Sequence, residues 1–176
     1  MCFSGKKCIL TRAFVSLNWK TQESKEFDVC YSSWAQKNDL LIDNDELKIT
    51  STEPYSDTHV RENSILGFFC QGAKLGYVSG THKSYITYDL GKSYKIKQVS
   101  FATQVPETAM NIKIIIGQDS DYSNNQVFAE FEKLTLNFFD AFLPKGTMGR
   151  FVTIQQTSNP DRNLHLGEIK IIEDTS

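Results

Sequence analysis

The chain predicts an all-β domain, a sandwich or barrel of short strands behind a short cysteine-bearing N-terminal segment. Three observations carry this. From about residue 47 onward, short runs rich in β-branched and aromatic residues alternate with turn residues. No stretch sustains a long helical period. Twelve Phe and seven Tyr against four Pro among 176 residues suit a packed sheet and not a disordered chain.

Taken in order, residues 1–44 are irregular, with a helix-compatible run at 7–13 and an extended one at 14–19. Residues 37–46 are polar and acidic and read as a connector, so the division is a segment at 1–44 and a β domain at 45–176. Strands are expected at 85–90, 96–103, 111–116, 127–131, 134–139, 151–156 and 164–172. Between the first two, Asp89-Leu90-Gly91 punctuates a hairpin or a sheet corner. In the third, Ile112, Ile114 and Ile116 share one face and Ile115 lies on the other, so this strand should be covered on both sides. At the C-terminus Leu164 and Leu166 have one parity and Ile169 and Ile171 the other, which a β-bulge at Gly167 would explain.

A formal charge of −2 and a pI near 5.9 provide no global attraction to nucleic acid or to an anionic membrane. Lys92, Lys95 and Lys97 form only a small basic cluster, without interleaved exposed aromatics, so no nucleic-acid partner is expected. Lys6, Lys7 and Arg12 interrupt the first fifteen residues, and neither a signal peptide nor a transmembrane segment is expected. Cys2, Cys8, Cys30 and Cys70 contain no C-x-x-C spacing; an even count suits disulfides, and four free thiols are the alternative.

Catalytic and metal chemistry find no foothold. His59, His82 and His165 have no metal or triad spacing, and no Ser or Cys sits in a nucleophile context, so neither an enzyme nor a cofactor is expected. Asp119-x-Asp121-x-Ser123 with Glu130 copies the ligand spacing of a calcium loop. Asn124 stands where that loop needs glycine, so a solvated hairpin loop is expected and no metal site.

Binding chemistry gathers in three loops. Residues 53–63 place Tyr55, His59 and Arg61 in one segment: the ring can stack on a sugar or enter a membrane interface, and the guanidinium offers a planar fork to an anion. Residues 67–75 carry Phe68 and Phe69, adjacent and therefore on opposite faces if extended. Residues 104–110 carry Gln104 and Glu107.

The ordered series Ile49-Thr50-Ser51-Thr52, Tyr55, His59, Leu66, Tyr85 to Gly91, Val99, Ala102-Thr103-Gln104, Phe142-Leu143-Pro144, Gly149 to Ile154 and Leu164 to Ile171 resembles the discoidin domain, the C-type domain of the blood-coagulation cofactors. The resemblance spans roughly residues 47–173. It implies a galactose-binding-domain-like jelly-roll sandwich with ligand loops at one end. Thr87 stands where the fucose-binding relatives carry a sugar-gripping arginine, which disfavours a fucose lectin. The staple that coagulation-type domains make with a final cysteine is absent from Glu173-Asp174-Thr175-Ser176. Cys8, the run from Phe14 to Trp19, and Cys30 resemble part of a PAN or apple domain, a disulfide-stapled module. Together these imply an extracellular, non-catalytic adhesion module of a larger protein, binding a cell-surface or matrix glycan or protein. The alternative is a peripheral module binding anionic phospholipid through its aromatic loop residues.

Overall fold

The computed structural model describes residues 29–31, 38–65, 69–71, 76–81, 83–103, 110–133, 138–157 and 163–176. The strands are β1 (Val29–Tyr31), β2 (Lys48–Ser51), β3 (Phe69–Gln71), β4 (Tyr77–Val78), β5 (Ser84–Ala102), β6 (Met110–Gly117), β7 (Gln126–Lys133), β8 (Phe138–Phe142), β9 (Met148–Gln156), β10 (His165–Leu166) and β11 (Glu168–Glu173). Every pairing among them is antiparallel.

β5 belongs to both layers of the sandwich. Its first half pairs with β2 on one side and β9 on the other, and β6 and β7 continue that layer in the order β2-β5-β9-β6-β7. Its second half lies between β8 and β11 in the other layer. The change of layer falls where the register slips between Asp89 and Tyr94. Gly91 sits there at φ 84°, a left-handed conformation in which a side chain would be strained, and the Glu46 side chain occupies the space that a Cβ would need. The expected Asp-Leu-Gly element is therefore a corner between sheets and not a hairpin.

The core lies between the layers. Ile86, Tyr88, Ile112, Ile114, Ile116, Val152 and Ile154 come from one side and Val99, Phe101, Ile169 and Ile171 from the other, all essentially inaccessible. Phe139 fills the margin, its ring 5.3 Å from Phe101 and 4.0 Å from Phe131. Ile115 is buried on the opposite face of β6, as the all-isoleucine run anticipates. Two buried hydroxyl pairs tie the sheets: Thr87 Oγ1 and Thr153 Oγ1 are 2.8 Å apart, and Tyr88 Oη lies 2.7 Å from Ser64 Oγ. Burial raises the Tyr88 phenol well above its ordinary pKa, so it is a neutral structural hydroxyl.

Three expectations are corrected. The strand expected to end at 139 runs on to Phe142, because Ala141 meets Val99 across the sheet as Phe139 meets Phe101; residues 134–137 lie outside the described residues. Gly167 marks a break between two strands, β10 pairing with β4 and β11 with β5, so the change of parity is a change of partner and not a bulge. Part of the polar stretch 37–46 is anchored: Asp39 bridges to Ile172, Leu40 N–H donates to Ile171 O at 2.8 Å, and Leu40 and Leu41 enter the core. Its acidic neighbours masked that apolar pair. The helix-compatible run at 7–13 and the PAN-like stretch up to residue 28, with Cys2 and Cys8, lie outside the described residues.

Candidate functional site

β2 leaves the sandwich at Ser51 and the chain enters the loop carrying Tyr55, His59 and Arg61. This loop is stitched to the domain along its length. Thr52 N–H donates to Tyr85 O at 3.1 Å, Gly80 N–H to Glu53 O at 2.7 Å, Tyr55 N–H to Val78 O at 2.8 Å and Val78 N–H to His59 O at 3.3 Å. The Tyr77 hydroxyl donates to Thr52 O at 3.0 Å from a ring that is completely buried. Burial raises the pKa of this phenol too, against the opposing effect of its hydrogen bond to Thr52. Strand-like bonds and a buried anchor thus give the loop a fixed base.

On that base stands Tyr55, its side chain 66% exposed. Its ring meets His59 edge to face, 6.2 Å between centroids. His59 Nδ1 is held by Ser56 Oγ at 2.7 Å and Thr58 Oγ1 at 3.1 Å, and the two hydroxyls lie 3.0 Å apart. With Nδ1 engaged, Nε2 is the ring nitrogen available to a ligand. An exposed aromatic face beside a fixed imidazole can stack on the C–H face of a sugar while bonding one of its hydroxyls.

Arg61 does not join this pair. It begins the 3-10 turn Arg61–Ile65, where Nη1 reaches Ile49 O at 3.4 Å and Nε lies 3.5 Å from Glu62 Oε1. Its guanidinium covers an open carbonyl on the edge of β2, half exposed at the flank of the loop. Phe69 lies in β3 opposite Tyr31; Phe68, Gln104 and Glu107 lie outside the described residues. The register of β1 and β3 places Cys30 opposite Cys70.

A second polar constellation sits at the other end. Arg150 Nε and Nη2 donate to the two carboxylate oxygens of Asp89 at 2.7 and 3.0 Å, and Gly91 N–H donates to the same carboxylate at 3.0 Å. The Arg150 hydrogen bonds hold the Asp89 carboxyl below its ordinary pKa against the opposing effect of partial burial. Sixty-one residues separate these partners, and no local pattern in the sequence joins them. The loop at 118–125 behaves as its composition predicts: Asp119 accepts from Asp121 N–H at 2.9 Å and Asn124 Nδ2 at 3.0 Å, and Asp121 accepts from Ser123 N–H at 3.0 Å. Among the described residues no group of three or more His, Cys, Asp or Glu converges as a metal site, and no helix is long and apolar enough to cross a membrane.

No protein-family profile and no curated protein matches the chain. Solved structures do. The module CpGH89CBM32-6 of Clostridium perfringens is 22% identical, with a TM-score of 0.62 over 77% of this chain and 99% of that one. The CBM32 of AlyQ, solved with 4,5-unsaturated mannuronic acid, is 19% identical, with a TM-score of 0.56 over 72% and 95%. The family 32 CBM of C. perfringens NanJ, solved with galactose, is 12% identical, with a TM-score of 0.56 over 75% and 97%. At these identities the likeness is one of fold. The chain has the all-β, galactose-binding-like sandwich that these carbohydrate-binding modules share and that the discoidin resemblance implies.

Proposed function

We propose that this chain is a non-catalytic carbohydrate-recognition module, acting outside the cell, whose ligand rests on Tyr55 and is bonded by His59 Nε2. The observation that carries the reading is an exposed tyrosine on a loop fixed by backbone hydrogen bonds, beside a histidine already held at Nδ1. Folding has prepaid the ordering of this platform, so stacking and one or two hydrogen bonds suffice for a weak single site. The sugar-bound modules of the same fold supply the ligand class: galactose for one, an unsaturated mannuronic acid for another. Phe68, Phe69, Gln104 and Glu107 are proposed to add ligand contacts, and Arg61 to act from the flank of Tyr55. A cell-surface or matrix protein bearing such a glycan is the proposed partner.

The test is a glycan array followed by calorimetry with the best ligand, run beside sedimentation with phosphatidylserine liposomes. Tyr55→Ala should weaken glycan binding about tenfold or more, the loss of a stacking contact and its shielding of the histidine bond, with the melting temperature unchanged. Liposome binding with a blank array would replace this reading with the phospholipid one.

A further inference from the structure

Two open depressions lie side by side at the end of the sandwich opposite Tyr55. The geometry of β2 defines the ends: Ser51, which leads to Tyr55, pairs with Ile86, whereas Lys48 pairs with Asp89. One depression, about 620 Å³, is bounded by Asp89, Gln118, Ser120 and Arg150 among others. The second, about 660 Å³, shares Gln118 and adds Phe128, Pro144 and Met148. Both volumes fall in the range of small-molecule sites.

Their polar and apolar halves are separately fixed. Asp89 holds the Arg150 guanidinium through Nε and Nη2, leaving Nη1 free among the described residues. Gln118 is held by donation from Nε2 to Ser93 Oγ at 2.8 Å, which leaves its carbonyl oxygen as an acceptor, and Ser120 adds a hydroxyl that can do either. Beside them Met148 is 45% exposed and Phe128 half-buried, an apolar floor next to a row of hydrogen-bonding groups. Charge is even in number: Asp89 pairs with Arg150, and one further acid, Asp119, and one further base, Lys145, line the second depression. An uncharged ligand with one apolar face and several hydroxyls satisfies all of this, whereas an anion gains nothing from a guanidinium already neutralised.

We propose that these depressions form a second glycan subsite, for a neutral saccharide of one or two rings, with ring C–H groups on Met148 and Phe128 and hydroxyls on Arg150, Gln118 and Ser120. It shares the ligand class of the proposed function but none of its residues. Two sites at opposite ends would let one domain bridge two glycans or engage a branched one, raising avidity without tighter contacts.

Nuclear magnetic resonance titration with galactose and with N,N′-diacetylchitobiose tests it. The amides of Gln118 and Ser120 and the Arg150 Nε–H signal should move with one of these sugars, in the wild type and equally in Tyr55→Ala. Gln118→Ala and Met148→Glu should each weaken that response about tenfold, with the melting temperature and the signals around Tyr55 unaltered. Absence of movement at Gln118, Ser120 and Arg150 in the wild type overturns the second site and leaves the Tyr55 site standing. Movement there that disappears in Tyr55→Ala also overturns it, since the far end would only be reporting the first site. Movement there with none around Tyr55 supports the second site and refutes the first.

Discussion

At the residue scale, the chain separates side chains that build the loops from side chains left over for a ligand. Tyr77, Ser64 and Tyr88 are buried hydroxyls spent on anchoring; Tyr55 and the free edge of His59 are not. The Asp89–Arg150 pair does both, anchoring through Nε and Nη2 while leaving Nη1 over, and it has a pH signature. The Asp89 carboxyl titrates lower in the folded state than its ordinary 3.8, so the stability it contributes is present above that value and is lost as pH falls through the folded pKa. Asp89→Asn should therefore melt lower than wild type at neutral pH, and the gap should close below about pH 3.8 as the wild-type carboxylate protonates. Thermal melts across that range check it; a gap that stays constant would show that Asp89 acts through packing alone. That Tyr55, His59 and Arg61 share one loop was legible in the sequence. That Tyr55 meets His59 while Arg61 turns to Ile49 O was not, because that bond depends on a turn that brings residues twelve apart together.

At the element scale, β5 is the piece on which the fold turns. Its alternation and the Asp-Leu-Gly break were readable, though not whether the break is a hairpin or a corner, because a positive-φ glycine and residue parity need no distant partner. The change of layer, the pairing of β10 with β4 and the run of β8 on to Phe142 were not, since each depends on which strand arrives opposite. Ile114, completely buried where β6 lies between β7 and β9, should be among the costly positions. Ile114→Ala should destabilise by about 2–5 kcal/mol, measured by urea unfolding. The β1–β3 register supports a specific disulfide, Cys30 with Cys70. Directly opposed antiparallel residues have Cα atoms about 4.5–5.5 Å apart, inside the span that a disulfide bridges. Peptide mapping of unreduced, alkylated protein should find that pair linked; four alkylated thiols, or Cys30 linked elsewhere, would contradict it.

At the scale of the whole molecule, an all-β sandwich of the galactose-binding-like type carries a loop on which the Tyr55 ring stands exposed. The fold is shared with modules solved with galactose and with an unsaturated mannuronic acid, and the sandwich itself leaves the ligand open, since loops set it. Affinity at one such site is expected to be modest, and clustered display of this domain or of its glycan should strengthen binding steeply. Immobilised and free protein compared on the same glycan surface would show that difference. The central claim is the place of contact, and a crystal of the protein soaked in the best array ligand tests it most directly. The sugar ring should be found stacked on Tyr55 with a hydroxyl within hydrogen-bond distance of His59 Nε2. A bound sugar that leaves Tyr55 bare would contradict it.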